Sequence, residues 1–272
     1  MKKLIALLLA ALVMSLCLSG LAAGRLDAIK AAGKLVVGTS PDYAPYEFLD
    51  ADGKPVGADI TFAQFIADKL GVELVVESYN FDALLVAIAA GKVDLALAGL
   101  DPKPDRTSSM AFSDIYYNET NQIILIHKDN ADSIKTLEDF AGKGVAAQNG
   151  TLQQTLVTEQ LPGATLELIT QIPDGIMMLM TKQVAGMALA SPVAEQYVAN
   201  YPDLVYCESK FEYSSMGIAA AIPLDKSEGQ PELTADPELL AAINEAVKEV
   251  VDQKLFYQWM DEAVILNNSL NQ

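Results

Sequence analysis

The stretch Asp94-Leu-Ala-Leu-Ala-Gly-Leu-Asp-Pro-Lys-Pro-Asp-Arg106 decides how this chain is read. Leu95 to Ala98 is an apolar run without polar alternation, the pattern of a strand covered on both faces, as in a parallel sheet flanked by helices. Gly99 follows, where a bound molecule can approach the backbone because no Cβ stands in the way. Asp101 then lies in a turn whose shape Pro102 and Pro104 restrict. Arg106 closes the stretch with a planar fork of donors suited to bidentate capture of a carboxylate. Ligands of open α/β sheets bind beyond the carboxyl ends of the strands. An acid for an ammonium and an arginine for a carboxylate, both at such a strand end, suit a zwitterion. The plainer alternative is a proline turn with a solvated surface pair.

Around this stretch the chain alternates strands and helices. Lys34–Thr39 reads as a first strand, and Tyr46–Asp50 and Lys54–Asp59 flank Ala51-Asp52-Gly53 as a hairpin. Residues 60–70 have helical spacing and stop at Gly71, residues 72–79 form a strand, and residues 81–90 a helix capped by Gly91. A second series begins with the strand 121–127. A helix over 133–142 follows, then strands at 143–148, 164–169 and 186–190 and helices at 152–161, 172–181 and 192–199. A last strand spans 216–222, and helices cover 237–253 and 255–263. Two α/β units of similar element order are expected, each a mostly parallel sheet flanked by helices.

The chain has 272 residues, 51% of them hydrophobic and 20% charged, enough for two globular domains. Its net charge of −18 excludes a general nucleic-acid binder, which needs a basic footprint. Lys2 and Lys3 precede the apolar run Leu4 to Met14, and small residues follow up to Leu21-Ala22-Ala23, the pattern of a cleaved export signal over residues 1–23. Cleavage after Ala23 removes two lysines and no acid and leaves a net charge of −20. Cys17 lies in that segment; Leu16 stands where bacterial lipoproteins usually place Gly or Ala, which argues against lipidation. Cys207 is then the one remaining cysteine and reads as a small buried hydrophobe.

Catalytic groups are scarce. The one histidine, His127, sits in an apolar strand, and no nucleophile elbow, phosphate loop or metal-ligand spacing is present, so neither a metal nor a cofactor is expected. Binding features are richer. Tyr43 and Phe81 fall just past predicted strand ends, where two rings can sandwich a side chain. Gly150-Thr151-Leu152 opens a helix after a strand, and its backbone N–H groups can receive a carboxylate.

With these residues in view the chain resembles the periplasmic polar-amino-acid-binding proteins of ABC transporters. The likeness rests on Gly38-Thr-Ser-Pro-Asp-Tyr-Ala-Pro-Tyr-Glu-Phe48, Phe81-Asp-Ala-Leu84, Gly91–Leu100 with Asp105-Arg106, Phe112-Ser-Asp-Ile-Tyr-Tyr117, Gln148-Asn-Gly-Thr151 and Pro192-Val-Ala-Glu195. It implies a type II periplasmic-binding-protein fold. Lobe one would comprise 24–115 and 219–272, lobe two 121–213, and hinge crossovers 116–120 and 214–218. It also implies that Arg106 pairs with the ligand α-carboxylate, helped by the amides of Asp101 and Leu152. The Gly99 carbonyl and the side chain at 101 would hold the α-ammonium, and Tyr43 and Phe81 would stack on the ligand side chain. Ser40, Gln148 and Ser191 would lie near the tip of that side chain, with Thr151 at the helix start.

Two positions depart from the family pattern. The family's ammonium-binding acid in lobe two is here Ala190, and position 101, usually Thr or Ser, is Asp. Relocation of the ammonium partner to Asp101 follows from the cost of burying a charge unpaired. Ser40 stands where binders of basic amino acids often carry an acid, which points away from lysine or arginine. The resemblance implies a monomeric, exported protein, periplasmic or on the cell surface, whose partners are an amino acid and the permease subunits of an ABC transporter. It implies no enzyme; a dehydratase-like enzyme on the same fold, or a sensor presenting its ligand to a receptor, are the alternatives.

Overall fold

The computed structural model describes residues 24–118, 121–226 and 233–271. The expected signal segment with Cys17, and residues 119–120 of the first crossover, lie outside these. The chain begins with helix α1 (Arg25–Ala32), strand β1 (Lys34–Thr39) and a small antiparallel meander of β2 (Asp42–Tyr43), β3 (Glu47–Leu49) and β4 (Pro55–Val56). Asp50 makes the meander's turn, accepting the amides of Asp52 and Lys54, both at 2.9 Å. Helix α2 (Ala58–Leu70), strand β5 (Glu73–Ser78), helix α3 (Phe81–Ala89) and strands β6 (Leu95–Ala96) and β7 (Met110–Tyr117) follow. The second series is β8 (Gln122–His127), β9 (Gly144–Gln148), α4 (Leu152–Gln160), β10 (Thr165–Ile169), α5 (Ile172–Met180), β11 (Gly186–Ala190), α6 (Ser191–Asn200) and β12 (Leu204–Tyr206). The chain then returns through β13 (Ile218–Pro223) to α7 (Pro237–Asp252) and α8 (Leu255–Leu270).

These strands form two five-stranded sheets, ordered β5-β1-β6-β13-β7 and β10-β9-β11-β8-β12. In each, three strands are mutually parallel: β1 with β5 and β6, and β9 with β10 and β11. The other pairings, β13 with β6 and β7 and β8 with β11 and β12, are antiparallel. The sheets are therefore mixed: in each, four of the five strands run the same way and one, β13 or β8, runs against them. The cause is connectivity: β8 and β13 arrive from the other sheet and run against strands whose carboxyl ends face it.

Both faces of each sheet are buried, and the side-chain period of two sorts residues between them. In the second sheet Ile123, Leu125, Met187 and Leu189 pack toward α5 and α6, and Ile124, Ile126 and Ala188 toward Leu156 and Val157 of α4. In the first, Leu35, Val37, Leu95, Leu97 and Ile222 meet α2, α7 and α8, whereas Ala96, Ala98 and Ala221 meet Leu84 and Ile88 of α3. The C-terminal helix closes this lobe through rings: Phe256 lies 4.8 Å from Tyr116 and 5.2 Å from Tyr117, and Trp259 lies 6.2 Å from Phe62. Arg25 ties the start of the described chain to the segment just after β13, with two hydrogen bonds to Asp225 at 2.6 and 2.7 Å, and to Asp94 with one at 3.0 Å.

Several expectations shift. Residues 133–142 do not form a helix; a single 3₁₀ turn, Leu137–Phe140, is stabilised by a Thr136/Asp139 capping box. Asp139 takes the amides of both Lys135 and Thr136 at the turn's start, and Ala141 leaves helical geometry at ψ 127°, which ends it. Strand pairing in β6 stops at Ala96, although the Leu97 amide still donates to the Gly38 carbonyl at 3.1 Å. β12 lies where no strand was expected, and α8 runs on to Leu270 rather than Ala263. His127 Nδ1 accepts the Asp129 amide at 3.2 Å, and Cys207 is 4% exposed, both structural roles as expected.

The chain passes between the sheets after Tyr117 and returns before Ile218, and these two ends pair side by side. Gly217 adopts φ +73°, and a Cβ there would stand 2.3 Å from Ile115 Cγ2. Gly217→Ala is expected to lower stability by roughly 1–3 kcal/mol, from left-handed strain plus this clash. Thermal unfolding checks it; an unchanged melting temperature would refute the constraint.

Candidate binding cleft

The carboxyl ends of β1, β6 and β9 and the starts of α3 and α4 converge on one cleft between the sheets. Nine of the ten residues expected at the site line it: Ser40, Tyr43, Phe81, Gly99, Asp101, Arg106, Gln148, Thr151 and Leu152. Ser191 does not line it. It is the first residue of α6, and its amide is tied to the Asn121 carbonyl at the crossover, 3.1 Å away, which holds that helix start back from the cleft.

Arg106 is only 4% exposed. Its Nη1 donates to Asp101 Oδ1 at 2.6 Å and to the Asp101 carbonyl at 3.0 Å, and its Nη2 reaches the Gly150 carbonyl of the other lobe at 3.0 Å. The guanidinium also lies 5.5 Å from the centroid of the Phe81 ring. Asp101 and Arg106, expected to hold opposite ends of a zwitterion, thus also hold each other. Five residues apart across the proline turn, they are close enough for the acid to offset the buried cation. Asp101 Oδ2 and Arg106 Nε, both buried, have no hydrogen-bond partner. Ala190 is fully buried at the end of β11 and offers only a methyl group where the family's acid would stand.

Opposite Arg106, Thr151 caps α4. Its hydroxyl accepts the Gln154 amide at 3.2 Å and donates to the Gln148 carbonyl at 2.7 Å. Gly150, at φ +79°, donates its amide to Gln154 Oε1 at 2.7 Å. The Leu152 N–H belongs to the first turn, whose donors have no helical acceptor. Tyr43 stacks on Tyr46 with centroids 5.6 Å apart, and its hydroxyl accepts from Gln153 Nε2 at 3.3 Å. Gly99 passes close beneath it at φ +55°; a Cβ would lie 3.2 Å from the Tyr43 ring.

Two acids of the cleft were not singled out from the sequence. Asp42, beside Ser40, accepts Ser40 Oγ at 3.1 Å and Gln148 Nε2 at 2.9 Å. An acid therefore does stand at the end of the pocket where Ser40 suggested none, two residues further along. Glu47 is fully buried, and neither carboxylate oxygen has a donor. Burial first, and then the neighbouring Asp59 and Asp42, push its carboxyl well above the usual range. Asp59 is likewise buried and pushed up to about 6, though the Gly99 amide at 2.8 Å and the Tyr116 hydroxyl at 2.8 Å hold it down in part. Glu47, which also lines the cleft, is thus held protonated beside Asp59. Its place in the motif Tyr46-Glu47-Phe48, on β3 paired with Tyr43, was the available signal. Among the described residues, no cluster of three or more His, Cys, Asp or Glu side chains could hold a metal ion.

The comparisons with known proteins agree with this geometry. Residues 35–262 match the family model of the bacterial extracellular solute-binding proteins, family 3. The arginine-binding extracellular protein ArtP of Bacillus subtilis (strain 168) is 31% identical over 268 residues, covering 95% of this chain and 98% of the relative. An amino acid ABC transporter substrate-binding protein of Streptococcus pneumoniae Canada MDR_19A, solved bound to L-arginine, superposes with a TM-score of 0.80. It is 32% identical and covers 89% of this chain and 98% of its own. The ancestral amino acid-binding protein AncCDT-1, a precursor of cyclohexadienyl dehydratase, gives a TM-score of 0.75 at 31% identity, over 87% of this chain and 100% of its own. Together with the two-lobed fold and its cleft, these likenesses show that the chain belongs to the bacterial extracellular solute-binding proteins, family 3.

Proposed function

We propose that this chain, exported by its N-terminal signal to the periplasm or cell surface, captures an amino acid with a cationic side chain and delivers it to an ABC transporter permease. Arginine is the first candidate. Lobe one would be 24–115 with 219–272 and lobe two 121–213, hinged at 116–120 and 214–218, with the protein acting as a monomer. The observation that carries the reading is the unmatched pair of buried atoms at one end of the cleft. Asp101 Oδ2 is an acceptor and Arg106 Nε a donor, both without a partner. An α-ammonium and an α-carboxylate would satisfy one each, with the Leu152 amide as a further donor to the carboxylate.

The charge of the lining supports a cationic side chain. Asp42, Glu47 and Asp101 face a single cation, Arg106, among the described lining residues. A guanidinium between Tyr43 and Phe81 would gain ring contacts and supply the positive charge that lets Glu47 ionise. The arginine-binding relatives point the same way. An enzyme reading finds one support, the acid Glu47 that keeps its proton. Yet the described lining holds no histidine, lysine or cysteine to act with it as base or nucleophile; binding without turnover is the better reading.

Calorimetry with L-arginine should give saturable binding, and Arg106→Ala should weaken it by on the order of 100-fold or more, since a buried carboxylate then loses its partner. Undiminished affinity in this variant would overturn the assignment. A second prediction concerns pH. Glu47 and Asp59 ordinarily titrate near 4.5 and 3.8, but in the fold they hold protons to about 6 and beyond. The folded chain therefore binds more protons than the unfolded one in this window, and its stability falls as pH rises through it, by up to about 1.4 kcal/mol per pH unit per proton. The surface acids Asp129, Asp139 and Asp203, pulled down by Lys182, the Lys135 amide and Lys128 respectively, act below the window. Melting temperature without added amino acid should decline from pH 5 to pH 7.5, and Glu47→Gln should flatten the decline; a rise over that range would contradict the pair.

A further inference from the structure

Helix α5 of lobe two has no side-chain cap of its own: the Gln171 side chain, which precedes it, makes no bond to the first turn. Its first amide, that of Ile172, donates instead to Asp42 Oδ2 at 2.9 Å, and Asp42 stands on β2 of the other lobe. The same oxygen accepts Gln148 Nε2 at 2.9 Å, and Gln148 also donates to the Thr170 carbonyl at 3.0 Å. Ser40 Oγ holds the other carboxylate oxygen at 3.1 Å from lobe one. One acid of lobe one thus bridges a backbone amide and a side-chain amide of lobe two, at the positive end of a nine-residue helix. Flanking contacts continue the seam: Asn149 Nδ2 to Asp82 at 3.1 Å and Gln171 Nε2 to Asn80 at 3.4 Å.

We propose that Asp42 is an interlobe clasp that caps α5 from across the cleft and favours closure independently of any ligand. The reasoning rests on the two-lobed fold and on closure as the binding motion. When the lobes part, the Ile172 amide and the Asp42 carboxylate each return to water. When they close, a charge-assisted hydrogen bond and a favourable helix-dipole contact form together. A ligand that binds the closed form better then meets a chain already biased toward it, and its apparent affinity rises with that bias. Asp42 is a positioning residue in this scheme: it acts by holding lobe two, whatever the amino acid bound.

Small-angle scattering of the full mature protein without added amino acid, combined with L-arginine binding kinetics, tests the clasp. Asp42→Ala should enlarge the radius of gyration of the protein measured alone and raise the dissociation rate and Kd about tenfold or more. Asp42→Asn, which keeps an acceptor oxygen but loses the charge, should fall between. Ile172→Pro deletes the lobe-two donor at a helix position that tolerates proline, leaves Asp42 in place, and should open the protein in the same direction. Circular dichroism confirms that each variant is folded. Scattering identical to wild type in both Asp42→Ala and Ile172→Pro would overturn the proposal, even if arginine affinity fell, because Asp42 would then act on the ligand alone. Absence of arginine binding by the wild type would count against the ligand assignment, while the scattering comparison would still decide the clasp.

Discussion

A guanidinium held almost out of water needs partners for its N–H groups, and Arg106 draws those of its two Nη atoms from both lobes, leaving Nε over. Asp101 supplies the charge, its own carbonyl and that of Gly150 take further N–H groups, and the Phe81 ring covers one face. A buried pair of this kind adds little net stability, because desolvation offsets most of the attraction. Its value is orientation. The turn at Gly150, the Thr151 cap and the Gln154 side chain all fix the position of one carbonyl, so the second lobe meets Arg106 in one register.

Beneath the cleft a second set of polar contacts performs the same task for the first lobe. Asp59, at the start of α2, takes the Gly99 amide from the end of β6 and the Tyr116 hydroxyl from β7. Three elements of lobe one are thereby referred to a single carboxylate. Gly99 must be a glycine because the chain bends through a left-handed conformation under the Tyr43 ring, which a Cβ would crowd. Glu47, on β3, is buried beside Asp59 and held protonated by that burial and by the neighbouring acids. The two acids could not both ionise at that depth without a cation nearby.

Much of this was legible in the sequence because it depends on local signals. Unbroken apolar runs marked the strands with two buried faces, Gly71 and Thr151 marked a helix end and a helix start, and the proline turn marked Asp101 and Arg106 as neighbours. What escaped depends on approaches between distant segments. Asp42 read as a loop acid beside Ser40, because its partners, Gln148 and Ile172, lie 106 and 130 residues away. Glu47 read as a hairpin residue for the same reason, its environment being set by Asp59 and the cleft floor. Ser191 is the one expected site residue that does not line the cleft: its motif marked a helix start, and the amide of that start donates to the Asn121 carbonyl, a contact no local signal announces. The antiparallel strands β8 and β13 could not be inferred from hydrophobic period, which carries no direction; only the crossing of the chain between sheets sets it.

Closure and selectivity are assigned to two overlapping sets of residues in this cleft. Asp42, Asp82 and Asn80 bind groups of lobe two that any closed complex presents, whereas Asp101, Arg106, Glu47 and the rings of Tyr43 and Phe81 face whatever lies between the lobes. Substitutions in the second set can change which amino acid fits while the first set still brings the lobes together. Arg106, Tyr43 and Asp42 belong to both: Arg106 Nη2 crosses to Gly150 while its Nε has no partner, the Tyr43 hydroxyl accepts from Gln153, and Asp42 lines the cleft as well as holding the Ile172 amide. Under the proposed function, the double membership of Arg106 lets the ammonium partner stand at Asp101 beside it, where Ala190 offers only a methyl group. On that reading, an acid within reach of the arginine is enough for the ammonium, so long as the cation stays where the two lobes meet.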